Sequence, residues 1–331
     1  MFSGTQPSHY MFNTPILFLV FNRPDTTEIV FQKIREIKPR QLFVAADGWR
    51  VNKAGEKEKC EETRAIVMRS IDWDCEVKTL FRDENLGCGK SVSSAISWFF
   101  ENVEEGIILE DDCVPDNSFF PYCEELLYRY RSEEKVMHIS GSNFQISEVS
   151  DESYYFSNSC YMWGWATWRR AWKLYDFKME HFNKRFDLSD YLFSKDEKVY
   201  WKRVFSNVKS GRVDTWDYQW YFTCWYNKGL SIVPQYNLVK NIGFRPDATH
   251  TQTMGLMSNL KVFPINAIKH PEVIQRNVKA DYWQGRIIKL YAGEYELFYK
   301  HLKIFYMRLK QYSLVKLLIR KLNIRPSEKF D

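Results

Sequence analysis

Four apolar runs, each closing on a polar or charged cluster, constrain the fold of this 331-residue chain more than any other feature. The first, ILFLVF at 16–21, is unbroken, as a parallel strand buried on both faces requires. Asn22 and Arg23 make the turn. Pro24 then suits a first helical position, with Asp25 and Glu28 near the positive helix end. QLFVAADG at 41–48 repeats strand then turn, and a helix is expected over 60–71. CEVKTLF at 75–81 is the third strand, and RDENLGCGKS at 82–91 turns into the helix SVSSAISWFF. GIILEDD at 106–112 is the fourth, followed by the helix FFPYCEELLYRY and a fifth strand within 135–143. Such units in series predict an α/β fold: a Rossmann-like, mostly parallel, doubly wound sheet flanked by helices, with ligands at the carboxyl ends of the strands.

The residues at those ends are Asn22 with Arg23, Asp47 with Gly48, Arg82 with Asn85, and Glu110-Asp111-Asp112. One such cluster per strand is what a nucleotide-and-metal crevice needs. Three adjacent carboxylates repel one another unless a cation sits between them. Oxygen ligands at this spacing suit Mg²⁺ or Mn²⁺, which would take a diphosphate in its remaining positions. The bland alternative is a solvated turn. An EF-hand is excluded, because its downstream oxygens and central glycine are missing. NLGCGKS at 85–91 is not a P-loop, since Glu84 stands where the first glycine belongs. Gly87, Gly89 and the helix start still offer backbone N–H groups, with Lys90, to a phosphate; a plain glycine turn serves equally well.

Beyond residue 150 the alternation breaks down and an aromatic-rich half begins. The expected organisation is a nucleotide-sugar-binding α/β half at 12–150, an acceptor and catalytic half of the same domain at 151–262, and a basic helical extension at 263–331. In VDTWDYQW, 213–220, Asp217 lies among Trp216, Tyr218 and Trp220, whose desolvation would raise its pKa toward that of a general base. Asp214 reads rather as a cap for the helix that follows. A helical stretch is expected near 195–209. His250, in PDATHT, follows a loop-like segment and is open to a metal, a phosphate or a purely structural role. Trp163, Trp165, Trp168 and Trp172 suit a core helix, with sugar stacking as the lesser reading.

Seven scattered cysteines without a CxxC pair argue against a zinc site or a disulfide framework and for a reducing compartment. No signal peptide is evident, and ILFLVF is too short to span a bilayer, so a cytoplasmic protein is expected. Residues 294–331 hold nine basic residues against four acidic ones, which accounts for the whole formal charge of +5. The rest is balanced and implies no nucleic-acid surface. In the tail, Leu302, Phe305, Leu309, Tyr312 and Ile319 form an apolar stripe that Lys316 interrupts. Peripheral contact with an anionic membrane and ordinary packing on the domain both remain open.

FNRPDTT, AADG, RDENLGCGKS, ILEDDCVPDNSFF, SGSNF, YMWGWATWRRAW, WDYQW and NIGFRPDATHT follow in order across residues 14–255. In that order and spacing the chain resembles bacterial nucleotide-diphospho-sugar glycosyltransferases of the GT-A type, similar in pattern to N-acetylglucosaminyltransferase I. The resemblance implies Asp112 as the metal ligand, with His250 returning toward the metal. It implies Glu110 and Asp111 near the ribose and diphosphate, Asp47 on a uracil edge, and Arg23 and Arg82 lining the nucleotide and its phosphates. It makes Asp217 the base of an inverting reaction, and a UDP-sugar the expected donor. No N-terminal anchor like that of the eukaryotic relatives is seen. A glycan or lipid-linked acceptor in bacterial surface-polysaccharide synthesis is the natural setting. Two rivals stand beside this reading. A sugar nucleotidyltransferase would share the crevice but carries a glycine- and basic-rich loop after its first strand, which FNRPDTT lacks. A glycan-binding module without catalysis would need neither the acids nor Asp217.

Overall fold

The computed structural model describes residues 12–145, 147–183, 185–244 and 260–291. His250 and the basic tail at 294–331 lie outside the described residues. The chain divides into compact units 1–284 and 285–331, and the sheet lies wholly within the first.

The predicted alternation is present. β1 (Ile16–Val20), α1 (Pro24–Ile37), β2 (Gln41–Ala46), α2 (Glu56–Arg69), β3 (Glu76–Phe81), α3 (Cys88–Asn102) and β4 (Glu105–Glu110) follow in sequence. Pro24 opens α1, as its fixed φ and missing N–H favour. β1 pairs in parallel with β2 and β4, and β2 with β3, giving the order β3-β2-β1-β4. After the short β5 (Cys113–Pro115) come α4 (Phe119–Tyr130), β6 (Val136–Ser140) and β7 (Tyr154–Ser157). Then follow β8 (Trp165–Trp168), α5 (Arg169–Trp172), α6 (Lys195–Lys209), α7 (Asp217–Tyr226), β9 (Leu230–Pro234), β10 (Val239–Asn241) and α8 (Val278–Tyr291). α6 starts at a reciprocal capping box between Ser194 and Glu197.

The eight-stranded sheet runs β3-β2-β1-β4-β8-β6-β9-β7, with β8 antiparallel to both its neighbours and β7 antiparallel to β9. The architecture is thus mixed α/β, a large and mostly parallel central sheet flanked by helices. Alternate residues face opposite sides. Ile16, Phe18, Val44 and Leu109 join α1 and α4 in one core. On the other face, Phe43 meets Trp98 and Phe99 of α3 at ring distances of 5.3 and 4.9 Å.

The tryptophan segment departs from the expected helix. Trp165–Trp168 is a strand, and only Arg169–Trp172 is helical. Both faces of β8 are covered: Ala166 and Trp168 enter the α1/α4 core, while Trp165 stacks on His138 and Trp216 at 5.0 and 5.6 Å. Bulky residues on both sides erase the polar–apolar alternation by which a half-buried strand is recognised. Trp165, Trp168 and Trp172 are core residues, and Trp163 is half-buried.

Candidate active site

The site grows from the connection after β1, which has only Phe21, Asn22 and Arg23 before α1 begins. Each is held by an acid. The Phe21 N–H donates to Asp111 Oδ2 at 3.2 Å, and Arg23 Nη1 lies 2.9 Å from Asp112 Oδ2 and 3.9 Å from Asp111 Oδ1. Asn22 Nδ2 donates to Glu56 Oε1 at 3.0 Å. Glu56, at the start of α2, also takes the Arg50 guanidinium and backbone N–H. Sequence reading passed over Glu56, because EKEKCEETR looks like any charged helix face.

At the next strand ends, Asp47 is buried and its carboxylate accepts from the Leu86 N–H at 3.0 and 3.1 Å and from Asn85 Nδ2 at 3.0 Å. Burial raises its pKa, and those backbone hydrogen bonds oppose the rise. Arg82 Nη2 donates to Ser94 Oγ at 2.7 Å, whereas its buried Nη1 has no acceptor among the described residues. Lys90 is exposed on the first turn of α3.

Glu110 closes β4, and Asp111 and Asp112 follow it. Burial pushes the Asp111 carboxyl up to about 7, and the negative charge of Asp112 adds to the rise against the opposing Arg23. Glu110 is also raised well above the ordinary range, first by burial, then by Asp112, Asp111 and Asp217. That last contribution brings Asp217 to the same site. The Cys88 thiol is raised by burial and by the fields of Glu110, Asp217, Asp214 and Asp47 together, so four acids from three segments converge around one residue.

Asp217 is the first residue of α7. Trp216 and Trp220 flank it and pack on Trp165, while Tyr175 Oη donates to Trp216 O at 2.9 Å. The half-buried Asp217 Oδ1 accepts from Thr215 Oγ1 and from the Tyr218 N–H. Core tryptophans on one side thus present a carboxylate on the other.

Behind Asp112 lies a two-stranded ladder of β5 and β10. Ile242 N–H donates to Asp112 O at 2.8 Å, and a Cβ on Gly243 would stand 2.1 Å from Asp112 Oδ2, so only glycine allows this approach. Phe244 follows, edge-on to Trp163 at 5.5 Å. Asn241 Nδ2 also lies 3.5 Å from Asp112 Oδ1, and sequence reading singled out neither Asn241 nor Gly243.

Asp214 does not cap α7, whose N-cap is Trp216 with no side-chain hydrogen bond. It reaches α3 instead, where Oδ2 accepts from the Cys88 N–H and Oδ1 from the Gly89 N–H, each at 2.9 Å. Of the amides offered above to a ligand phosphate, those of Cys88 at the helix start and of Gly89 are therefore filled by the chain's own carboxylate.

No family model matches the sequence, and no curated protein is significantly similar to it. Solved structures similar to the chain include the inositol-1-phosphate CTP transferase from T. maritima, at 10% identity and a TM-score of 0.37, covering 70% of this chain and 89% of that one. A 4-diphosphocytidyl-2C-methyl-D-erythritol synthase from Anaerococcus prevotii is similar at 6% identity and a TM-score of 0.30, covering 58% and 99%. A UDP-glucose pyrophosphorylase solved with UDP-glucose is similar at 9% identity and a TM-score of 0.24, covering 44% and 62%. None of the three is named a glycosyltransferase.

Proposed function

We propose that the chain is a nucleotide-diphospho-sugar-dependent transferase, and that the reaction is inverting glycosyl transfer with a UDP-sugar as donor. The observation that carries this reading is that Asp214, three residues before Asp217, is hydrogen-bonded to the start of α3, which brings the start of α7 to the strand ends that bear Glu110. Arg23 is the proposed donor to phosphate oxygens, with Arg82 beside it just past the end of β3.

The donor set fits a divalent cation. Its side chains are hard carboxylate oxygens, and burial together with mutual repulsion raises both Glu110 and Asp111, an excess of negative charge that Mg²⁺ or Mn²⁺ would relieve. Among the described residues no group of three or more His, Cys, Asp or Glu is arranged to hold a metal alone. Asp112 is the proposed ligand, with donor phosphates in the remaining positions and His250 as a further candidate. When bound there, such a cation would supply positive charge to the leaving diphosphate. Asp217 takes the proton from an acceptor hydroxyl, whose oxygen attacks the anomeric carbon from the face opposite the leaving group, so configuration inverts in one displacement. The half-buried Trp163 and neighbouring Phe244 offer ring faces to a glycan or lipid-linked acceptor.

A metal-dependent sugar nucleotidyltransferase is the second reading. It would use the same acids, and it is the kind of activity named in the similar solved structures. Against it, three non-glycine residues join β1 to α1, which leaves no glycine-rich amide cradle for a triphosphate there. Incubation with nucleotide sugars, or with nucleoside triphosphates plus sugar 1-phosphates, separates the two in the presence of Mn²⁺ or Mg²⁺. Release of nucleoside diphosphate supports glycosyl transfer, and release of pyrophosphate supports the second reading. A melting shift with UDP-sugar that EDTA abolishes supports the cation. Neither product and no shift would overturn both readings. Among the described residues no helix is long and apolar enough to cross a membrane. Peripheral contact through residues 294–331 is part of the proposal and is tested by membrane partition of a chain lacking them.

A further inference from the structure

The start of α3 lacks a cap of its own. Gly87 occupies the N-cap position at φ 79° and ψ 165°, a conformation open essentially to glycine alone, and no side chain from the first turn bonds back. The first N–H groups of a helix need acceptors and favour negative charge. Asp214 meets both needs from 126 residues away. The glycines on either side of Cys88 are shaped to it. A Cβ at Gly87 would stand 2.5 Å from Asp214 Oδ2, and one at Gly89 would stand 2.7 Å from Asp214 Oδ1 and 2.6 Å from Thr215 O.

The same short segment carries two further fixed points. Thr215 Oγ1 donates to Asp217, and Gln219 Nε2 donates back to Thr215 O at 2.6 Å. At the other end of the turn before α3, Leu86 and Asn85 are tied to Asp47. Residues 85–89 therefore form a strut anchored on Asp47 at one end and on Asp214 at the other.

We propose that Asp214 is a positioning residue: by seating on the N-terminus of α3 it sets the depth and direction of the first turn of α7, and so of the Asp217 carboxylate. The proposal rests on the reading of Asp217 as the base. Asp214 touches no reacting atom; it acts through Thr215 and the helix start. One face of its side chain stays open to solvent, so replacing it need not disturb the core.

Asp214→Ala and Asp214→Asn, compared with wild type and Asp217→Asn, test this through kcat, donor KM and amide hydrogen exchange. In Asp214→Ala, kcat falls roughly 100-fold, the cost of a misplaced catalytic group, while donor KM stays within about twofold. Exchange rises in the segments 85–91 and 213–219 and nowhere else. Asp214→Asn keeps one acceptor oxygen and falls between. Unchanged kcat in Asp214→Ala, or a loss that tracks a global rise in exchange, overturns the proposal. Failure of the underlying reading shows separately, as full turnover in Asp217→Asn, and the local exchange pattern still reports whether Asp214 fixes the segment.

Discussion

Arg23 and Asp112, 89 residues apart in sequence, meet at 2.9 Å between Nη1 and Oδ2 just beyond the carboxyl ends of β1 and β4. Their side chains are 17% and 19% exposed, so the pair is screened less than a surface bridge and desolvated less than a core one. Replacing Arg23 by alanine leaves three neighbouring carboxylates without their guanidinium. It is expected to cost about 2 kcal/mol of unfolding free energy. Adding Asp112→Asn to Arg23→Ala should restore part of that loss. Urea unfolding of the two single variants and the double variant measures the coupling, and strict additivity would show the two residues to be independent.

Asp217→Asn is expected to lower kcat by about 10²–10⁴-fold, the range of a lost general base, with donor affinity kept. Asparagine retains the oxygen that accepts from Thr215 and Tyr218, so the first turn of α7 should hold. Single-turnover kinetics with donor binding followed by melting gives both numbers from one preparation.

Gly87 and Gly55 separate strain from collision. Both have positive φ, 79° and 75°, but a Cβ at Gly55 meets nothing within 4 Å whereas one at Gly87 strikes Asp214. Gly55→Ala should cost about 1 kcal/mol, the conformational penalty alone. Gly87→Ala should cost at least twice as much, because it also displaces the cap of α3. Equal melting shifts in the two variants would mean that the Asp214 contact adds nothing to stability.

His138 predicts the acid limit of the fold. Its Nε2 lies 3.0 Å from Tyr161 O, and its Nδ1 accepts from Trp220 Nε1 at 3.1 Å, so the neutral ring is the one that fits. Burial holds its pKa down to about 3 against an ordinary 6.5. A depressed histidine stabilises the fold above the unfolded value and loses that contribution as pH falls from 6.5 toward 3. Each unit in that window costs about tenfold in the folding equilibrium. His138→Gln should lower stability at pH 7 but flatten the decline between pH 6 and 4. A slope unchanged in the variant would place the acid-sensitive group elsewhere.

The half of the site built on β1 to β4 was legible, because unbroken apolar runs mark strands buried on both faces and the polar residues that stop them must lie at strand ends. Asn22, Arg23, Asp47, Arg82 and Glu110 all take that position. The contacts that organise those residues were not legible. Asp214 binds across 126 residues with no local pattern to announce it, although the two glycines flanking Cys88 were a signal that something approaches closely. Asp111 serves a backbone N–H as well as the charge cluster, which no count of carboxylates reveals. β8 was misread because tryptophans on both its faces hide a period of two.

That strand has a consequence for how the chain assembles. β8 alone joins β4 to β6 in the sheet order, so the two ladders are continuous only after Trp165–Trp168 has been made. Until then Gly106, Ile107 and Ile108 present an unpaired apolar edge, the kind of template on which nascent chains associate wrongly. During synthesis the first ladder waits some sixty residues for its cover. A break in the chain between β6 and β8 would therefore yield an N-terminal half that is sticky rather than independent. The two ladders meet on one strand, so neither is complete until β8 is in place.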